Sequence, residues 1–274
     1  MKSNNSLIES LRSGFAAISI LLIIAISVVI YIYVLGNPGN FQGNDPNNHP
    51  LPDNYLGIVY KGGIIVPMLI SLLLMTLTFG LERMITISRA KGRGNIGRFV
   101  REIRSLIADG NVKSALEECD RQRGSVGNVV KAGLAKYKEM EKTYSLDSER
   151  KVLAIQKDIE ETTQLEMPML EKNLVIIATI ASIATLLGLL GTVLGMIKAF
   201  AALAAAGAPD AVALANGISE ALINTALGIG TSAIAIIFYN FFTSKIDELT
   251  YSIDEAGFTI VQNFAAKNPE RVTA

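Results

Sequence analysis

The sequence predicts an all-α membrane protein whose long helices extend from the bilayer into a helical domain outside it. Three observations carry that expectation. Half of the 274 residues are hydrophobic, 18% are charged and mean hydropathy is +0.38, which is too apolar for an ordinary soluble domain. Four charge-free runs reach the roughly 20 residues that a helix needs to cross a hydrocarbon core. A strand-type alternation is hard to find, whereas apolar residues at helical spacing recur outside those runs.

Taken in order, residues 1–14 carry Lys2 and Arg12 and precede the first span, 15–35. That span is longer than the apolar core of a signal peptide and no A-x-A site follows it, so a retained anchor helix is expected. Residues 36–63 are rich in Gly, Asn and Pro and predict an irregular outer loop that serves as a linker. The second span, 64–87, has Pro67 in its first turn, where a missing N–H costs little. Residues 88–173 hold 17 of the 25 basic and 14 of the 25 acidic residues and form the soluble domain. Within it Phe99, Ile103, Leu106 and Ile107, then Val112 and Leu116, follow helical spacing around a break at Gly110-Asn111. Helices over Val126 to Met140 and Leu146 to Leu165 continue it. A third span over 174–202, a loop over 203–218 and a fourth span over 219–242 come next. The segment 243–274 closes the chain with an amphipathic helix to about Ala266 and a tail.

Orientation follows from the basic residues, because Lys and Arg near span ends stay cytoplasmic. Lys2, Arg12 and the cluster Arg83, Arg89, Lys91, Arg93, Arg98, Arg101 and Arg104 stand against a lone Lys61 in the first loop and none in the last. Both termini and residues 88–173 are expected in the cytoplasm. The basic cluster lacks interleaved aromatics apart from Phe99 and reads as a topology signal; no nucleic-acid partner is expected. Equal numbers of acids and bases give no global field for charged partners.

One Cys and one His leave no disulfide framework and no zinc site. The P-loop, zinc-protease and serine-hydrolase motifs are missing, and no nucleophile pairs with a base, so neither an enzyme nor a cofactor is expected. Gly92-Arg-Gly-Asn-Ile-Gly97 matches G-x-G-x-x-G formally, but a membrane helix precedes it instead of a strand. It reads as a flexible juxtamembrane hinge.

The third span places Ala181, Ala184, Gly188, Gly191 and Gly195 three or four residues apart, a pattern that lets helix backbones approach closely. With Ala221 and Gly228 on the fourth span, these surfaces are more than one copy is expected to bury, which predicts a homo-oligomer. Thr185 and Thr192 share a face of the third span. The fourth carries Glu220, then Asn224 and Thr225 about one turn on, Gly228 and Thr231. A carboxylate at membrane depth costs on the order of 2.5–3.5 kcal/mol on insertion scales and marks a functional candidate; a first-turn carboxylate favoured by the helix dipole is the competing reading. Lys198 is the sole base within spans three and four, at a depth similar to that of Glu220. The two either pair, lowering the cost of burying the carboxylate, or Lys198 snorkels alone to the headgroups.

Leu187-Gly-Leu-Leu-Gly-Thr-Val-Leu-Gly-Met-Ile-Lys-Ala-Phe200, followed by Gly217-Ile-Ser-Glu-Ala-Leu-Ile-Asn-Thr-Ala-Leu-Gly228, resembles the paired-helix signature of the MotA/TolQ/ExbB proton-channel proteins, and ExbB most. Leu81-Glu-Arg83 echoes that family's first cytoplasmic exit. The resemblance implies a bacterial inner-membrane ring, pentameric, around a single-span partner similar to ExbD that brings a membrane Asp. Proton entry then drives motion passed to a protein like TonB and on to outer-membrane transport. It also implies pore-facing roles for Thr192 and Thr225 and an acidic role for Glu220. Thr185 stands where such proteins usually have Pro, and the first span is additional. TolQ-like, flagellar or gliding stators, or a scaffold that does not conduct, are the rival readings.

The topology makes a direct prediction. With Cys119 replaced by Ser, an impermeant thiol reagent applied to intact spheroplasts should label Asn47→Cys and leave Asn4→Cys unlabelled until the membrane is opened; labelling of position 4 beforehand would invert the assignment.

Overall fold

The computed structural model describes residues 17–204 and 211–268. The expected N-terminus with Lys2 and Arg12, the middle of the 203–218 loop and the end of the tail lie outside the described residues. All regular elements among the described residues are helical, with one isolated bridge between Phe41 and Pro50. They are α1 (Ala17–Leu35), α2 (Tyr55–Tyr60), α3 (Ile65–Ala90), α4 (Ile96–Ala108), α5 (Val112–Gln122), α6 (Ser125–Lys142), α7 (Ser148–Glu171), α8 (Leu174–Ala204) and α9 (Ala211–Lys267), with two single-turn 3-10 helices, Pro38–Asn40 and Gln42–Asn44, between α1 and α2. Among the described residues four stretches are long and apolar enough to cross a membrane: α1, α3, the span from Ser148 to Ala204, and α9. The chain divides into two compact units, Met1–Leu81 with Asn173–Tyr239 and Glu82–Lys172 with Asn240–Ala274.

The second unit is a helical bundle with its own apolar core. Asn95, Asn111 and Asp147 start α4, α5 and α7 by accepting from the backbone N–H three residues on, at 2.9, 3.2 and 2.8 Å, which satisfies an otherwise orphaned donor. Phe99, Ile103 and Ile107 of α4, Ala115 and Cys119 of α5, and Val126, Val130, Leu134 and Tyr137 of α6 are buried. The end of α9 adds Phe242, Ile246, Leu249, Ile253, Ala256, Ile260 and Phe264, a stripe at three- and four-residue spacing that faces the core. Tyr137 meets Phe264 edge to face at 4.9 Å and its hydroxyl bonds Asn263 Oδ1 at 3.2 Å. Burial, with Glu141 nearby, pushes that phenol up to about 12.

Arg83 is the largest of the fully buried side chains. Its Nη1 donates to the carbonyls of Met169 and Leu170 at 3.1 and 3.0 Å, and Nε and Nη2 donate to the Glu82 carboxylate. The guanidinium therefore caps the C-terminal end of α7, where carbonyls lack helical partners and cations are favoured.

Three expectations change. The hinge at Gly92 to Gly97 is an ordered turn: buried Gln122 donates from Nε2 to the Lys91 carbonyl at 2.7 Å and accepts from the Gly124 N–H at 2.6 Å, while the Arg93 N–H donates to the Gln122 carbonyl. Gly92 sits at φ +69°, and a Cβ there would come 2.4 Å from that carbonyl oxygen. The fourth span and the final amphipathic helix are one element, because nothing in α9 breaks the hydrogen-bond ladder as its surface changes from mostly apolar to striped. At 57 residues, roughly 85 Å, it far exceeds the hydrocarbon thickness of about 30 Å.

The third change concerns the first unit. Residues 36–63 pack as a small folded cap instead of an irregular linker. Asn40 is buried and donates to the Val34 and Leu35 carbonyls at the end of α1, both at 2.9 Å, while Asn54 donates to Asn40 Oδ1 at 3.1 Å and accepts from the Gly57 N–H to start α2. Phe41, 1% exposed, lies edge-on to Tyr60, and Lys61 reaches the carbonyls of Pro46 and Asn47 at 2.9 and 3.0 Å. Asn40 and Asn48, which mark a loop in the sequence, spend their amides on backbone carbonyls here.

Burial raises the Cys119 thiol from 9.0 to about 12, with Asp120 adding to the rise. The thiolate is the reactive form, so N-ethylmaleimide at neutral pH should modify the native protein at least about 100-fold more slowly than the denatured chain. Since the unfolded state loses this proton first, stability should fall as pH rises above 9.0 toward 12. Equal modification rates in both states would show that Cys119 is accessible in the fold.

Candidate functional site

α8 and α9 run antiparallel in the first unit and meet through side chains too small to hold them apart. A Cβ on Gly188 would lie 3.0 Å from the Asn224 carbonyl oxygen, on Gly195 2.7 Å from the Ala221 nitrogen, and on Gly228 2.6 Å from the Ala184 carbonyl oxygen. At Gly191 it would strike the Asn224 side chain at 2.4 Å. This is the close approach expected of small residues at helical spacing. It also corrects one inference: these stripes are buried against each other within a single chain, so they do not by themselves require a second copy.

The approach brings polar side chains from both helices together. The hydroxyls of Thr192 and Thr225 bond to each other across the interface. Each also lies near a carbonyl of its own helix, Gly188 at 3.2 Å for Thr192 and Ala221 at 3.1 Å for Thr225. A hydroxyl carries one proton, so when one threonine donates across the interface only the other can back-bond. The two form a shared, reversible unit. Near the end of α8, Lys198 Nζ meets Glu220 Oε1 and Oε2 at 2.6 and 2.9 Å. The Glu220 side chain is 12% exposed and that of Lys198 58%, so the lysine stem reaches out while its ammonium holds a largely buried carboxylate.

α9 begins at Ala211, which places Glu220 well past the first turn where the helix dipole acts. The first-turn reading of that acid therefore falls away, and the lone-snorkel reading of Lys198 gives way to the pair. Asn224, one turn beyond Glu220 on the same face, is fully buried. Its Nδ2 donates to the Gly62 carbonyl at 2.8 Å, and its Oδ1 has no partner among the described residues. Sequence reading marked Asn224 by position and missed this bond; an amide four residues after a membrane acid, with adjacent glycines before a span, was the available signal. Thr185 is half-buried within an unbroken α8. Among the described residues no cluster of His, Cys, Asp and Glu has the makings of a metal site.

Residues 122–255 match the model of the MotA/TolQ/ExbB proton channel family. The matched stretch, just under half of the chain, belongs to that family. The match takes in Thr192, Lys198, Glu220 and Thr225 and leaves α1, α2, α3 and the connection between α1 and α3 outside it. No curated protein matches the chain. The match supports a proton-channel, stator-like membrane subunit. Its geometry fits such a role, with one acid, one base and two hydroxyls at the contact between two apolar helices, where each bond left unmade would be costly.

The ion pair is open to a double-mutant cycle with Lys198→Met and Glu220→Gln, read as unfolding free energy in detergent. A coupling on the order of 1 kcal/mol is expected, kept low because the lysine is more than half exposed. Strictly additive effects would make the two groups independent.

Proposed function

We propose that this chain is the inner-membrane channel subunit of a motor that couples the proton motive force, through a TonB-like transducer, to outer-membrane transport. The observation that carries the reading is the pairing of Glu220 with Lys198 and of Thr192 with Thr225 along one α8–α9 contact. In the bilayer a lipid-facing surface has no use for such groups, whereas a proton path needs donors and acceptors that can exchange partners. The motif text around Gly188 to Phe200 and Gly217 to Gly228 supports an ExbB-like role.

Four membrane-length helices are the count that favours a flagellar-type stator, and a TolQ-like envelope function shares the same site. The partner separates these. We expect a homo-oligomer, pentameric, enclosing a single-span ExbD-like protein whose membrane Asp supplies the second acid, because spans three and four contain no acid besides Glu220. Both termini are expected in the cytoplasm. One elementary charge crossing 100 mV releases roughly 2.3 kcal/mol, so a few protons suffice for a mechanical step. Co-purification that returns a one-span protein with a membrane Asp supports the motor reading; recovery of this chain alone supports a scaffold.

Within this reading, Thr192→Val and Thr225→Val each keep the side chain's shape and remove the hydroxyl. Proton-driven transport should fall at least about fivefold, the effect of one lost hydrogen bond, with the complex intact on native electrophoresis. Wild-type transport in both variants would reduce the threonines to helix back-bonding.

A further inference from the structure

The segment outside the family match is built onto the site. Tyr31 of α1 stacks on Tyr60 with ring centres 4.7 Å apart, and its hydroxyl donates to the Tyr60 carbonyl at 3.3 Å. That same carbonyl accepts from the Gly63 N–H at 3.2 Å. Gly63 has φ +75°, a conformation that favours glycine, and a Cβ there would come 2.5 Å from Glu220 Oε1. The preceding carbonyl, Gly62, accepts from Asn224 Nδ2. The Gly62-Gly63 turn is thus gripped on one side by α1 and the folded connection, and on the other by the buried amide of α9, with the Glu220 carboxylate lying against its bare Cα.

Two glycines at this point are a requirement of that geometry. Any side chain at position 63 would occupy the carboxylate's place, and one at position 62 would strike Val66 at 2.5 Å. The Asn224 amide has one bonded end, toward Gly62, and one acceptor without a partner among the described residues. A buried amide is tolerated when its bond fixes something. Here the fixed element is the turn that borders the acid.

We propose that α1 and the α1–α3 connection form a cap that positions the Glu220 carboxylate, with Asn224 as the positioning residue that ties the cap to α9. The cap holds Glu220 facing Lys198 and shields it from the surroundings, so the additional first helix governs access to the acid. The functional consequence rests on Glu220 belonging to the proton path; the positioning itself does not.

Carbodiimide labelling in native membranes tests it. Dicyclohexylcarbodiimide modifies membrane carboxyls that it can reach, and the modified Glu220 peptide is quantified by mass spectrometry, with Glu220→Gln as the blank. Asn224→Ala should raise the labelling rate about fivefold, the population change for one lost hydrogen bond. Ser232→Ala removes another bond between α9 and α8, to the Ala181 carbonyl at 2.5 Å, about 18 Å along the helix from Glu220, and should leave the rate unchanged. If Asn224→Ala does not accumulate, Tyr31→Phe keeps the ring stack, removes the bond to Tyr60, and should raise labelling about twofold. Labelling at the wild-type rate in these variants, or an equal rise in Ser232→Ala, overturns the proposal. Transport by Glu220→Gln reports separately on the role of the acid, so failure of that role and failure of the cap are told apart.

Discussion

The polar contacts between α8 and α9 depend on how closely the two helices approach. With only hydrogen at positions 188, 195 and 228, one backbone lies in contact with the other, Gly191 makes room for the Asn224 side chain, and the hydroxyls of Thr192 and Thr225 come within bonding reach. A methyl group at any of these positions would push the helices apart and leave each threonine to its own helix. Lipid tails are as apolar as Leu, so no hydrophobic force draws the helices together; packing of small residues and interhelical bonds must do so. The glycine stripe and the polar contacts are therefore one interaction, since the first permits the second and the second rewards the first.

The same logic explains where the charges lie. Glu220 is mostly buried and its partner Lys198 mostly exposed, so the acid is neutralised without burying a second ion completely. A fully enclosed pair would carry a larger desolvation cost. Arg83, in the other unit, follows the opposite rule: it is 1% exposed and its guanidinium is satisfied by two carbonyls and the neighbouring carboxylate. It acts as a fixed cap on α7.

The additional helix and the connection after it gain a physical meaning from the cap. Asn40, Asn54 and Lys61 knit the connection to itself, so that Gly62 and Gly63 arrive at α9 in a defined conformation. A flexible linker of the same length would present that turn in many geometries, and the contact with Glu220 would be an average.

Hydrophobic period and glycine spacing determined much of this protein from the sequence alone. The helical class, the four membrane-length helices, the break at Gly110-Asn111 and the membership of residues 122–255 in a proton-channel family were legible because each depends on local pattern. Glu220, Lys198, Thr192 and Thr225 were legible as candidates for the same reason: a polar group in an apolar run stands out. What pairs with what was decided by the tertiary structure. Whether Lys198 would meet Glu220, whether the glycines would face a neighbouring copy or each other, and whether residues 36–63 would fold all turn on long-range geometry. A composition rich in Asn and Gly signals only that the chain leaves the helix. The Asn224 bond to Gly62 joins residues 162 positions apart, and no periodicity records such a contact. Likewise, α9 runs on through Phe242 because a helix continues wherever its backbone bonds are unbroken, whichever solvent surrounds the side chains.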